Sequence, residues 1–251
     1  MIRLILICAA VATPAVADEA SRQAFVEANI IATFYHELGH GLIDILDLPV
    51  LGREEDAADT LSTLLIDAIW DEDSAVALTY DTSLAWRLYA AEAEAGGEPL
   101  PYWDTHSVDM QRYFNHLCLF YGARPDERDD VARELDLPED RAEGCAEEFD
   151  LASASWGAML EGLEPGAQPA GLRMTDPVTG PVAGLEDVTA YASLIAAEVD
   201  DLNKTYSLPV EITVVIETCD EPNAFYDPET RAITICTEYI ADLGRLYDAQ
   251  G

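Results

Sequence analysis

Basic residues are scarce in this sequence. Its 251 positions hold 13 Lys+Arg against 49 Asp+Glu, a formal net charge of −36. A polyanion of this strength excludes nucleic-acid binding by phosphate neutralisation and attachment to anionic membrane surfaces. It would also repel acidic ligands at long range. Long apolar runs are lacking as well. No stretch approaches the roughly 18 uninterrupted apolar residues of a membrane-spanning helix, so no membrane insertion is expected. No Cys-x-x-Cys pair occurs, which argues against a thiolate metal centre. Low hydrophobicity, the usual companion of disorder in acidic chains, is absent. Hydrophobic residues make up 49%, enough to build a sizeable core in one or two domains. Only four histidines are present, which gives weight to any pattern they make.

The first residues read as an export signal. Arg3 precedes an apolar run from Leu4 to Val11, followed by Pro14 and Ala15-Val16-Ala17. A short apolar core with an A-x-A cleavage site is a secretory signal peptide, here residues 1–17. The mature chain then starts at Asp18 and is secreted or periplasmic. The signal carries Arg3 and no acid, so its removal makes the chain more acidic still. Cysteine usage fits an oxidising compartment. Of five cysteines Cys8 leaves with the signal, and Cys118, Cys145, Cys219 and Cys236 remain. Four cysteines allow three pairings. Proximity along the chain favours Cys118–Cys145 and Cys219–Cys236, against the alternative of four buried thiols.

The mature chain reads as helix after helix up to residue 161. Ser21 can cap a long helix whose stripe is Phe25, Ala28, Ala32 and Tyr35. That helix ends before Leu48-Pro49, because a residue before proline avoids the α region. A second helix is predicted at 54–69 on Leu61, Leu64, Leu65 and Ala68, with others at 83–95, 107–121, 127–135 and 140–161. Residues 162–184 are rich in Gly and Pro and read as a linker or long loop. Beyond it, 186–205 reads as helix, 210–217 and 231–236 as β-branched strands, 223–228 as a turn, and 238–248 as a closing helix. The expected class is α+β, mostly helical with a small C-terminal sheet. The segment 185–251 is expected to pack on the same domain as 18–161. Trp70, Trp86, Trp103 and Trp156 read as core.

One motif dominates: His36-Glu37-Leu38-Gly39-His40, which is HExxH inside a predicted helix. The i, i+4 spacing puts both imidazoles on one face, one turn apart, where they can chelate one Zn²⁺. Glu37 lies about 100° round the helix from His36, placed to act as general base toward an activated water. The bland alternative is a helix with two partly buried histidines and no metal. Gly39 and Gly41 each cost about 1 kcal/mol against alanine in a helix, so a close backbone approach is expected there. A catalytic zinc needs a third protein ligand. Downstream, Glu55-x-x-x-Asp59 places two carboxylates on one helical face. Glu55 would complete a His₂Glu set, and Asp59 would accept the remaining N–H of a ligating histidine. Glu54 falls elsewhere on that helix. Alone, such a cluster would be a solvated acidic first turn favoured by the helix dipole.

HELGH followed closely by GREEDAAD resembles a bacterial metallopeptidase family that is otherwise a domain of unknown function. It looks like a member of the gluzincin clan, the thermolysin-like zinc peptidases. The resemblance implies a zincin-like helix pair, with His36 and His40 as zinc ligands, Glu37 as general base, Glu55 as third ligand and Asp59 as its support. It also implies that Asn223-Ala224-Phe225 forms an edge strand beside the active-site helix and contacts substrate by β-augmentation. From the residues alone, that block is a turn. In gluzincins the edge strand usually precedes the HExxH helix, so the block order here looks permuted. The resemblance extends to 106–113 and 118–122. A donor for the oxyanion is sought among His106, Tyr113 and His116, which lie on or near one predicted helix.

These residues together predict an exported zinc peptidase whose substrate is a peptide or protein, basic or neutral rather than acidic. The alternative from another class is a secreted zinc-binding protein that binds peptides without turnover. The intact Glu37 argues for the enzyme.

Overall fold

The computed structural model describes residues 19–97, 99–176, 185 and 188–250. The signal-peptide reading of residues 1–17 lies outside them. Among the described residues no helix is long and apolar enough to cross a membrane.

The chain opens with α1 (Glu19–Ile45), whose buried stripe includes Phe25, Ala28 and Tyr35 as the apolar periodicity predicted. It stops in a reversed turn. Leu48 N–H donates to the Ile43 carbonyl at 3.0 Å and Asp47 N–H to that of Asp44 at 3.1 Å, with Asp47 at φ 50°. This is the Schellman pattern, and it satisfies carbonyls the helix end would otherwise leave open. The next helix, α2 (Glu54–Ile69), has the predicted bounds and carries Glu54, Glu55 and Asp56 in its first turn.

The two helices touch because of one glycine. A Cβ on Gly39 would stand 2.9 Å from the Cα of Ala58. No larger residue permits that approach without a shift of backbone, and the approach sets the two motifs face to face. Gly41 serves a second contact, since a Cβ there would lie 2.9 Å from Ile212 Cδ1 and 3.3 Å from the Tyr226 ring.

Four longer helices and one short one complete the helical half. α3 (Glu72–Gly96) starts well before the expected residue 83, capped by Asp71, whose side chain accepts the Ser74 N–H. α4 (Asp109–Ala123), α5 (Pro125–Glu134), α6 (Glu139–Ala142) and α7 (Cys145–Met159) follow. The Cys118–Cys145 disulfide ties α4 to the start of α7. Buried Arg128 binds Asp67 at 2.6 Å and Glu72 at 2.8 Å, joining α5 to the end of α2 and the start of α3. Trp103 is 81% exposed, a correction to its reading as core.

The second half supplies β1 (Leu172–Met174), α8 (Thr189–Thr205), β2 (Ile212–Glu217), β3 (Ala224–Asp227), β4 (Ala232–Cys236) and α9 (Thr237–Asp248). The class is α+β, as expected. The four strands form one sheet in the order β1-β2-β4-β3. β1, β2 and β4 are parallel, and β3 runs antiparallel to β4. Part of the expected linker belongs to this sheet. β1 lies inside 162–184, Leu163 is buried, and Ala170 bridges to Leu208. Residues 177–184 of that stretch lie outside the described ones. The block read as a turn from its residues contains strand β3, as the family resemblance implied. The second predicted disulfide, Cys219–Cys236, is formed.

β3 sits at the sheet's edge, and its register says which backbone groups are free. Cys236 N–H donates to the Asn223 carbonyl at 3.0 Å, and Ala224 pairs with Ile235. That makes Ala224 a non-hydrogen-bonded position, with its own N–H and C=O turned to the outer edge. The outer edge looks toward α1.

Candidate functional site

Four side chains from three elements converge at the α1–α2 contact. His36 Nε2 and His40 Nε2 lie 3.2 Å apart. Glu55 Oε2 is 3.3 Å from the first and 3.2 Å from the second. His106, from the loop before α4, brings its Nε2 to 2.9 Å from the same Glu55 oxygen. The ligand atoms of His36, Glu55 and His106 all lie within 4.8 Å of one another and could hold a metal ion.

These distances test the fit of a zinc ion. Zinc bonded tetrahedrally to N and O at about 2.0–2.1 Å keeps its ligand atoms about 3.3–3.4 Å apart. The three separations among His36, His40 and Glu55 meet that requirement within about 0.2 Å. Their outer nitrogens are also spoken for. His36 Nδ1 donates to Asp59 Oδ1 at 2.8 Å, and His40 Nδ1 donates to Glu54 Oε1 at 2.8 Å. Both imidazoles therefore turn an Nε2 lone pair inward, the tautomer a metal needs. Glu54 thus holds His40 from the first turn of α2, a role its helical angle did not suggest.

Asp59 is itself fixed. Arg112 Nε donates to its Oδ2 at 2.7 Å and Arg112 Nη2 to its Oδ1 at 2.7 Å. The guanidinium lies over the Trp86 ring, 3.9 Å from its centroid. Burial alone would raise the Asp59 carboxyl, but Arg112 and His36 hold it well below the usual carboxylate range. Burial likewise opposes ionisation of Glu55, yet hydrogen bonds from His106, His36 and His40 hold it far below that range. Burial would lower His36, and the hydrogen bonds to Asp59 and Glu55 overcome it, pushing the imidazole up to about 9. Such a cluster of carboxylate-backed nitrogens attracts cations, with metal and proton competing for the same lone pairs.

Glu37 stands beside this cluster without joining it. Its Oε1 is 4.0 Å from His36 Nε2. Burial pushes its carboxyl up, His36 and His40 draw it back, and the Tyr226 backbone on β3 also steadies the anion. A raised carboxyl near a hydrolytic centre is suited to taking and returning a proton.

The cleft runs along both sides of Glu37. Asn223 and Ala224 line it together with His36 and Glu37 on both sides, and Phe225 lines the side that holds His40. The structure thus brings His36, Glu37, His40, Glu55, Asp59, His106, Asn223, Ala224 and Phe225 together. It does not bring Tyr113. That side chain is buried, its hydroxyl donates to the Leu135 carbonyl, and it faces the α5–α6 turn. Removing it from the candidate oxyanion donors is a correction. His116 is buried behind Asp59, between Thr63 Oγ1 at 2.9 Å and Thr82 Oγ1 at 3.0 Å. Desolvation lowers its imidazole to about 4, so it is neutral. Sequence reasoning missed Arg112, Glu54 and Tyr239. Tyr239 lines the cleft with its hydroxyl 2.8 Å from Thr33 Oγ1. None of the three has a local signal beyond residue type, because each acts across helices.

Paired imidazoles backed by carboxylates, a third carboxylate at ligand distance and an ionisable neighbour define a candidate metalloenzyme. Its family is shown directly. The chain belongs to the family described as "Putative metallopeptidase", which matches residues 9–160 and 181–251. No curated protein and no solved structure is significantly similar to it.

Proposed function

We propose that this chain is an exported zinc peptidase of gluzincin type, with its blocks in permuted order. One observation carries the reading: the mutual spacing of His36, His40 and Glu55, which suits a single zinc ion. When bound, zinc supplies Lewis acidity, polarising the scissile carbonyl and making water more acidic. Glu37 takes the proton of the attacking water and returns it to the leaving amine nitrogen. The water oxygen bonds to the carbonyl carbon and the C–N bond breaks. His106, half exposed, has Nδ1 on Asp104 at 3.3 Å and Nε2 on Glu55 at 2.9 Å; with Glu55 engaged by zinc, its Nε2–H would turn from Glu55 to the carbonyl oxygen as negative charge grows there. Ala224 offers its outward N–H and C=O to an extended substrate, with Asn223 and Phe225 flanking it. Two disulfides support an oxidising compartment and hence export.

The test is elemental analysis paired with peptide hydrolysis. Wild-type protein should carry one zinc per chain. His40→Ala should lose it. Glu37→Gln should keep it and lose hydrolysis by about 10²–10⁴-fold, the usual weight of a general base. Stoichiometric zinc retained in His40→Ala would sink the ligand assignment. Full zinc together with undiminished activity in Glu37→Gln would sink the base.

A further inference from the structure

The deep arm of the cleft, behind Glu37, is a cavity of about 420 Å³. That is room for a long side chain together with several waters, at about 30 Å³ each. Apolar surface from Ala32, Ala85 and Trp86 is interrupted in its walls by polar groups. Thr33, Tyr239 and Tyr89 contribute hydroxyls, and Asp109 and Asp242 contribute carboxylates.

The two acids come from different elements, the start of α4 and the middle of α9. Asp242 is held in place. Tyr89 Oη donates to its Oδ2 at 3.2 Å and Arg245 Nε to its Oδ1 at 2.6 Å. Arg245 is shared in turn with Glu92 at 2.6 Å, so this trio keeps a net negative charge. Asp109 makes no hydrogen bond or ion pair among the described residues; burial pushes its carboxyl up, and Arg112 and His106 draw it partly back from longer range, so a cation seated beside it would favour its ionised form. The first-turn position explains an acid there, but not its place on the wall of a cavity.

The opposing cations are already engaged. Arg112 also lines the cavity, with Nε and Nη2 both taken by Asp59. His106 stands at the mouth on Glu55, and His116 is neutral. Asp109 therefore faces this space beside Glu37 with no partner of its own among the described residues, while Asp242, paired with Arg245, brings the net negative charge of its trio.

We propose that this arm is a specificity pocket for a lysine or arginine side chain next to the scissile bond, read by Asp109 and Asp242. The inference rests on the peptidase reading for the words "scissile bond", but the pocket itself does not. An ammonium or guanidinium entering it finds two carboxylates and three hydroxyls. A leucine or phenylalanine side chain would strip water from Asp109 and give nothing back, a cost of polar burial without a partner. A glutamate would meet like charge, so rejection is built in as well as attraction. The net charge of −36 steers cationic peptides the same way.

The experiment has two arms. In the first, zinc-loaded wild-type protein is given a peptide series with Lys, norleucine or Glu at each position flanking the cleaved bond, and products are read by mass spectrometry. At one flanking position Lys should be preferred over norleucine. In Asp109→Asn and Asp242→Asn that Lys-to-norleucine ratio in kcat/KM should fall about tenfold or more, the size of a lost charged hydrogen bond. In the second arm, Glu37→Gln protein is titrated by fluorescence anisotropy with the same peptides uncleaved. Lys peptides should bind more tightly than norleucine ones, and the preference should shrink in both Asn variants. Circular dichroism shows whether each variant is folded, and Asp109→Glu should recover part of the preference. Cleavage with an apolar or acidic preference, or a Lys preference untouched by both variants, overturns the pocket and leaves the peptidase standing. Asp-dependent Lys binding without cleavage of any peptide upholds the pocket and overturns the peptidase.

Discussion

The two halves of this molecule build their parts of the cleft by different means. The helical half, through α1 and α2, contributes charged side chains whose positions follow from helical spacing. His36 and His40 share a face, Glu55 and Asp59 share another, and the Gly39–Ala58 contact brings the faces together. The sheet half contributes backbone. Ala224 has no chemistry of its own; what it offers is an N–H and a C=O that β4 leaves unpaired at the strand edge. The candidate metal site is therefore written in residue types, whereas the strand edge is written in register. The halves should respond differently to perturbation: one through charge and metal, the other through substrate binding.

The largest effect expected lies in the helical half. Asp59→Ala leaves the partly buried Arg112 without its carboxylate, which should cost up to about 3–5 kcal/mol in urea unfolding, the upper end being that of a fully buried pair. It also frees His36 Nδ1, so zinc affinity should drop by about 10–100-fold. A loss of stability under about 1 kcal/mol would show that water already reaches this pair.

A somewhat smaller effect is expected from acid. His116 is neutral in the fold, lowered by desolvation from 6.5 to about 4, whereas the unfolded chain takes its proton at the ordinary value. Its contribution is intact above about pH 6.5, is lost as pH falls from there toward 4, and amounts to roughly 3 kcal/mol. His116→Gln should flatten that part of the stability profile, measured by denaturant melts across pH. An unchanged slope would mean that other groups carry the acid sensitivity.

The sheet half has its own staple. The Cys219–Cys236 bond closes 17 residues, worth roughly 3 kcal/mol from loop entropy. The Cys219→Ser/Cys236→Ser variant should raise KM before it releases zinc, since the bond lies next to β3 and away from the ligands. Zinc loss at an unchanged KM would erase the distinction between the halves.

The smallest expected effect is the most local. Ala224→Pro removes one outward N–H and no ladder hydrogen bond with β4. Substrate affinity should weaken by about 2–10-fold, one hydrogen bond's worth, with stability nearly unchanged. Undisturbed KM would show that the substrate does not pair with this edge.

Much of this was legible in the sequence, for physical reasons that differ by element. α2 came out with its bounds because its apolar stripe and acidic first turn agree. The two disulfides followed from proximity along the chain. The first half of α3 was missed because its apolar residues scatter round the helix; the Asp71-x-x-Ser74 cap was the usable signal. β1 was missed inside a Gly- and Pro-rich stretch, since a three-residue strand is decided by its partner β2. The helical angle of Glu54 points away from the cluster, yet a long side chain at a helix start can reach back to His40. Tyr113 suggests itself by type and by its spacing from His106, but His106 lies in the loop before α4, so helical spacing does not relate the two. Arg112 could not be found by any window, because its partner Asp59 is on another helix.

The position of β3 along the chain has a consequence in time. Helices α1 and α2 are made first and the edge strand nearly last, so these two walls of the cleft are joined by contacts of very long sequence separation. Such contacts form slowly and late. A chain still emerging during synthesis would already hold the histidines and Glu37, yet lack the β3 edge that faces them. Completion of the cleft is thus tied to completion of the fold.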